Sequence, residues 1–278
     1  MNYEERRPSA PLAPYVKCIW HLRRTYHAGE VGEVLWPDGC QELIFHYGAS
    51  YSTANRSLPR AFFIGMLSHF HHLYADGEIR LFGVRLLPWG LSALSEKPVR
   101  CFNDRFVPLQ EVFAPKSADL LPQLERKLAD TLDISMAQEL LEAFLLDLYA
   151  PDRIDPKITR VLAKLYGDPM TYDIARAVRD SGYSQRQFER RCAELTGLSP
   201  KRLHKIARFN QARLRLMFQP DLDLHECMLE FGYYDYAHFS KDFKLCLGVT
   251  PVQYCKWVRQ MAAKLHGSQD VVFLQDEP

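Results

Sequence analysis

The chain has 278 residues with a formal charge of +1, 47% of them hydrophobic and 25% charged, the profile of a water-soluble globular protein with room for about two domains. No stretch approaches the roughly 18 consecutive apolar residues of a membrane span, and the start, Met1 to Arg7, carries acids and no apolar signal core. The seven cysteines form no CxxC pair, which argues against a zinc ribbon or a disulfide framework and fits a reducing cytoplasm.

Taken in chain order, the first ninety residues read as β-structure. Val16 to Leu22 is apolar at every second position, as a half-buried strand requires. Trp36-Pro37-Asp38-Gly39 is a turn, and Glu42 to Tyr47 follows it as a strand. Ala61 to Met66, Phe70 to Tyr74 and Ile79 to Leu87 continue the pattern, with Asp76-Gly77 as a hairpin turn. After Pro88 the period changes. Trp89 to Glu96, Ala118 to Leu132 and Ser135 to Tyr149 are predicted helices, the last with Leu141, Phe144, Leu145 and Leu148 on one stripe. That stripe fits either packing on the β-structure or a helical dimer contact. Residues 151–156, with two prolines and three charges, read as a linker.

The charge is unevenly spread. Residues 1–156 hold 16 basic against 20 acidic side chains, residues 157–266 hold 19 against 11, and the last twelve residues add three acids and no base. A basic segment beside an acidic one points to different partners, the basic one a polyanion.

From Lys157 to about Lys264 the pattern is helical and internally repeated. Ser181-Gly182-Tyr183-Ser184-Gln185-Arg186-Gln187-Phe188 returns as Phe231-Gly232-Tyr233-Tyr234-Asp235-Tyr236-Ala237-His238-Phe239. Each copy is followed by a matching tail, Gly197-Leu198-Ser199-Pro200 and Gly248-Val249-Thr250-Pro251. Gly182 and Gly232 permit the left-handed backbone that ends a helix and turns the chain. Ser199 and Thr250 are N-caps with proline at the first helical position. Two tandem helix-turn-helix units result, joined by a helix from Pro200 to Gln219 about 30 Å long. Adjacent major-groove faces on one side of a duplex lie about 34 Å apart.

The second helix of each unit has two faces. Phe188, Cys192 and Leu195 share one stripe and face the core, leaving Gln185, Arg186, Glu189 and Arg190 outward. Phe239, Phe243 and Leu247 do so in the repeat, leaving Tyr236, Ala237, His238, Lys241 and Lys244 outward. Long donors near a helix start are what base edges in a major groove require.

These motifs resemble the DNA-binding domain of AraC/XylS transcription regulators, in Gly-Tyr-Ser-Gln-Arg-Gln-Phe-Glu-Arg at 182–190 and above all in Gly-Tyr-Tyr-Asp-Tyr-Ala-His-Phe-Ser-Lys-Asp-Phe-Lys at 232–244. Residues 35–45 and 82–90 resemble, more loosely, the β-rich sensor-like domain that precedes it in part of the family. The resemblance implies base contacts from Arg186, Glu189, Arg190, Tyr236, Ala237, His238 and Lys241, a small-molecule effector or a homodimer role for the amino-terminal domain, and RNA polymerase as a partner. The chain departs from the family pattern at Val178 and Met228, four residues before each turn glycine, where alanine is usual. The expected fold is α+β: a β-rich, barrel-like domain with accessory helices over 1–150, a linker over 151–156, an all-α domain of two helix-turn-helix units joined by a long helix over 157–266, and an acidic tail over 267–278.

The alternative function is a metal-dependent β-barrel enzyme fused to a DNA-binding module, with His46, His69 and His71 as ligands and His72 beside them. No carboxylate or cysteine stands at ligand spacing from them, so the expectation is a regulator without catalytic residues, metal or cofactor. Cys18, Cys40 and Cys101 are read as apolar fillers rather than a redox sensor. Asp38 and Glu42 have no evident substrate to act on.

Overall fold

The computed structural model describes residues 2–27, 33–265 and 271–272. Its first part is built from β1 (Asn2–Arg6), β2 (Val16–Tyr26), β3 (Val34–Leu35), β4 (Gln41–Gly48), β5 (Tyr51–Thr53), β6 (Arg56–Ser57), β7 (Ala61–Ile64), β8 (His71–His72), β9 (Tyr74–Ala75) and β10 (Gly77–Leu86). Next come α1 (Leu91–Leu94), a 3-10 turn at Val99–Phe102, β11 (Phe106–Pro108), α2 (Leu109–Phe113), α3 (Leu120–Ala129) and α4 (Ile134–Leu148). The helical part is α5 (Pro156–Gly167), α6 (Ile174–Ser181), α7 (Gln185–Thr196), α8 (Pro200–Phe218), α9 (Leu224–Glu230), α10 (Tyr236–Leu247) and α11 (Pro251–Leu265), and β12 (Val271–Val272) lies parallel to β1.

The main sheet runs β11-β7-β4-β10-β2-β1-β12, with small sheets β3-β8 and β6-β5-β9 beside it. Its two faces separate by the strand period of two. On β10, Phe82, Val84 and Leu86 enter one apolar cluster with Leu43, Phe45, Leu128 and Leu145, while Ile79 and Leu81 enter another with Trp20, Ile44, Tyr51 and Leu73. Helices α3 and α4 therefore cover the first face and the small sheets the second.

Several expectations change here. Asp76-Gly77 does not join a hairpin, because β9 pairs with β5 while β10 lies between β2 and β4. The expected strand at 70–74 breaks into β8 and β9, and the helix at 89–96 shortens to α1. The apolar stripe of α4 is covered within the chain, with Leu141 and Leu145 fully buried, so it is no dimer seam. Ile154 is buried in the first cluster together with Ile158 and Leu162 of α5, so residues 151–156 hold the two parts together rather than hanging free. The expected acidic tail lies, except for Val271 and Val272, outside the described residues.

Candidate nucleic-acid interface

Local chemistry fixes both helix-turn-helix units. In the first, the Asp173 carboxylate caps α6 by accepting from the Arg176 amide, Gly182 closes it at φ +68°, and Ser184 and Gln187 form a reciprocal capping box at the start of α7. Gly197, at φ +73°, ends α7, and Ser199 starts α8 with Pro200 at its first turn. The repeat uses the same parts. Asp223 caps α9, Gly232 turns at φ +65°, Asp235 accepts from the His238 amide to start α10, and Gly248 ends it at φ +74°. Thr250 then opens α11 through a reciprocal pair with Gln253. Helix α8 has 19 residues, about 28 Å of rod.

The small buried positions of α6 and α9 lie one residue from those that the family pattern marks. Ala177 and Cys227 are the fully buried small side chains there, five positions before the turn glycines. Val178 sits half-buried at the flank, and Met228 joins the core of the second unit.

All nine outward residues predicted from sequence are exposed: Gln185, Arg186, Glu189 and Arg190 on α7, and Tyr236, Ala237, His238, Lys241 and Lys244 on α10. Gln185 donates to Glu189 at 3.0 Å, and Arg190 lies 3.8 Å from Glu194. At such exposed positions these pairs hold rotamers without tying up the donors, since surface pairs contribute only about 0–1 kcal/mol. His238 stacks edge-on to Tyr233 and lies 3.9 Å from the buried Asp242 carboxylate, which also takes Lys205 at 2.8 Å. Phe188 and Cys192, and in the repeat Phe239 and Phe243, point inward as expected.

The backs of the two units rest on the β-domain, which the sequence did not reveal. At the end of α7, the Asn103 side-chain amide donates to the Gly197 carbonyl at 2.9 Å and the Ser92 hydroxyl to the Leu195 carbonyl at 3.0 Å. The Trp36–Cys40 loop enters the angle between α5 and α8. Tyr166 donates to the Asp38 carbonyl at 2.6 Å, and the Arg213 guanidinium lies over the Trp36 ring at 4.8 Å. Gly39, at φ +87°, leaves room there for the Tyr166 ring, which would stand 2.7 Å from a β-carbon. Further along, the Phe70 amide donates to the Leu245 carbonyl at the end of α10 at 3.4 Å, and the Phe70 ring fills the space beside Gly248.

The other sequence candidates resolve as follows. His46 is within hydrogen-bond distance of the Pro59 carbonyl and packs near Tyr51 and Phe62, so it stands outside the group formed by His69, His71 and Asp104. His72 turns to Phe70 and Tyr74. Asp38 accepts from the Cys40 amide, and Glu42 pairs with the half-buried Arg85 at 2.5 Å; burial still raises the Glu42 pKa. Burial pushes the Cys40 thiol up to about 12 and Cys18 higher still, so neither is a ready nucleophile.

Residues 177–256 match a family of helix-turn-helix domains, and residues 4–108 match a domain of unknown function (DUF6597). No curated protein matches in sequence. Among solved structures, ToxT from Vibrio cholerae in a P21 crystal form is similar at TM-score 0.47 and 10% identity over 92% of this chain and 98% of that one. ToxT from strain O395 bound to (E)-4-(8-methylnaphthalen-1-yl)but-3-enoic acid gives 0.47 and 10% over 93% and 100%, and unsaturated fatty acid-bound wild-type ToxT from strain SCE256 gives 0.41 and 10% over 91% and 93%. The carboxy-terminal part of this chain is thus similar to helix-turn-helix domains over residues 177–256, and the α+β part ahead of it is similar over residues 4–108 to a family with no assigned role.

Proposed function

We propose that this protein is a sequence-specific DNA-binding transcription regulator, with α7 and α10 entering adjacent major grooves of one operator. The observation that carries the reading is the pair of capped, glycine-turned units whose second helices both leave long polar side chains exposed at their starts. In this reading Arg186, Arg190, Lys241 and Lys244 supply phosphate and guanine contacts, Gln185 and His238 donate to base edges, Glu189 accepts from cytosine, and Tyr236 and Ala237 pack on thymine methyls. The rod α8 sets the separation of the two readers, and a rod shorter than the groove repeat bends the duplex at a cost of roughly 1–6 kcal/mol.

The working units are residues 1–150 as sensor, 151–156 as the join and 157–266 as reader, acting in the cytoplasm by binding rather than catalysis. RNA polymerase is the partner the family implies. A homodimer, if formed, uses a face other than the buried stripe of α4.

A gel-shift titration of the full chain on DNA selected from a random pool tests this. Arg190→Ala and Lys241→Ala each weaken selected-site binding by about 1–3 kcal/mol and narrow the gap to random DNA. Affinity of the unaltered chain falls steeply from low to moderate salt as phosphate contacts release counterions. Binding that ignores both substitutions and the salt would exclude this assignment.

A further inference from the structure

At one edge of the β-domain, His69, His71 and Asp104 bring one potential ligand atom each to within 4.8 Å of one another. The two rings lie side by side, 4.5 Å between centroids, and His69 Nδ1 is 4.0 Å from Asp104 Oδ1. Two further features set the group apart from a chance surface cluster. His71 Nε2 is shielded from solvent and has no hydrogen-bond partner, an uncompensated cost for a polar nitrogen. Asp104 holds a left-handed backbone at φ +56°, the single non-glycine residue to do so among the described residues, and such strained positions gather at binding sites. Its carboxylate is already aimed, accepting from the Ser68 amide at 2.6 Å.

We propose that His69, His71 and Asp104 form a binding site for one divalent transition-metal ion. Bonds of about 2.0–2.2 Å in a tetrahedron place donors roughly 3.3 Å apart, so the trio closes with side-chain rotation of an ångström or so. Two imidazoles with one carboxylate select zinc, cobalt, nickel or ferrous iron over magnesium or calcium, which prefer all-oxygen shells. Three protein ligands leave a fourth position for water.

The site also has a mechanical consequence. Phe70 lies between the two histidines, and it is Phe70 that donates to Leu245 and fills the space beside Gly248 at the end of α10. Tying residues 69 and 71 to Asp104 fixes the segment whose intervening residue carries the second helix-turn-helix unit. The ion thereby acts as an effector that holds this unit against the β-domain, a role that rests on the proposed function.

The test uses full-length protein stripped by a chelator and titrated with Co2+ alone and with Zn2+ alone. Calorimetry and the visible cobalt spectrum then report one ion per chain. Asp104→Asn, which keeps an oxygen for the Ser68 amide and tolerates the same backbone, weakens binding by about tenfold or more, as does His71→Gln; even outer-shell substitutions cost about 10–100-fold. Zn2+ slows amide exchange over residues 236–250 in the unaltered chain and leaves Asp104→Asn unchanged. No binding, or equal affinity in both variants, overturns the site, and exchange indifferent to Zn2+ overturns its coupling to α10. Neither readout involves DNA, so failed operator binding would count against the proposed function alone.

Discussion

Phe188 and Cys192 of the first helix-turn-helix unit lie in the same apolar cluster as Val84 and Leu145 of the β-domain, whereas Phe239 and Phe243 of the second unit lie in a cluster of their own. The first unit is continuous with the β-domain through α5, α1 and the 3-10 turn at Val99–Phe102. Among the described residues, the second meets it through Trp36 against Arg213 and through Phe70, whose amide donates to Leu245 and whose ring lies beside Gly248. Units built from one repeated pattern thus have unequal freedom. A shared core resists relative motion because any shift opens voids in close packing, while a contact of one ring can release at little cost.

The largest effect that would break this contrast comes from the cores. Phe188→Ala and Phe239→Ala each remove a fully buried ring and cost about 3–5 kcal/mol. Phe188→Ala accelerates amide exchange in β10 and α4 as well as in α7; Phe239→Ala confines the acceleration to α8–α11. If Phe188→Ala leaves β10 at its original exchange rate, the shared core is wrong. Next in size, Trp36→Ala removes the ring under the buried Arg213, worth up to about 2 kcal/mol. Its effect falls on the second half of α8 and on α9 to α11, read by exchange or limited proteolysis. Asn103→Ala, which frees the Gly197 carbonyl, costs about 0.5–1.5 kcal/mol and loosens only the end of α7.

The smallest effect is a change of slope. Burial, then the Arg80 charge, lowers the pKa of His21, which stacks on Phe82 at 4.9 Å. The unfolded chain takes up this proton near 6.5 and the folded chain does not, so stability is full above that pH and is lost as pH falls toward the folded value, by at most about 1.4 kcal/mol per unit. His21→Phe flattens urea midpoints measured from neutral to mildly acidic pH. An unchanged slope would remove His21 from the account.

The two units were legible because their determinants are local. Turn glycines, caps and the i, i+4 apolar stripe lie within about a dozen residues, and the backbone obeys them wherever they occur. The sheet was half legible. The alternation in β2 and β10 announces strands, but β1, Asn2–Arg6, carries four polar or charged residues in five, and its place in the sheet comes from pairing with β2. The contacts between the parts were not legible at all, since nothing around Asn103 or Trp36 marks partners about a hundred or more residues away. Asp104 is the same case: its carboxylate stands 33 residues beyond His71, outside any ligand spacing a motif would record.

Gly39 and Tyr166 occupy one space from opposite sides of the divide, and that bears on how such proteins diversify. A β-domain with any side chain at residue 39 would collide with this helical part, and a helical part with a smaller ring at residue 166 would leave this loop unsupported. Grafts that exchange the front part between relatives at residue 150 should therefore fail, and chimeras that carry α5 across with its own loop should succeed.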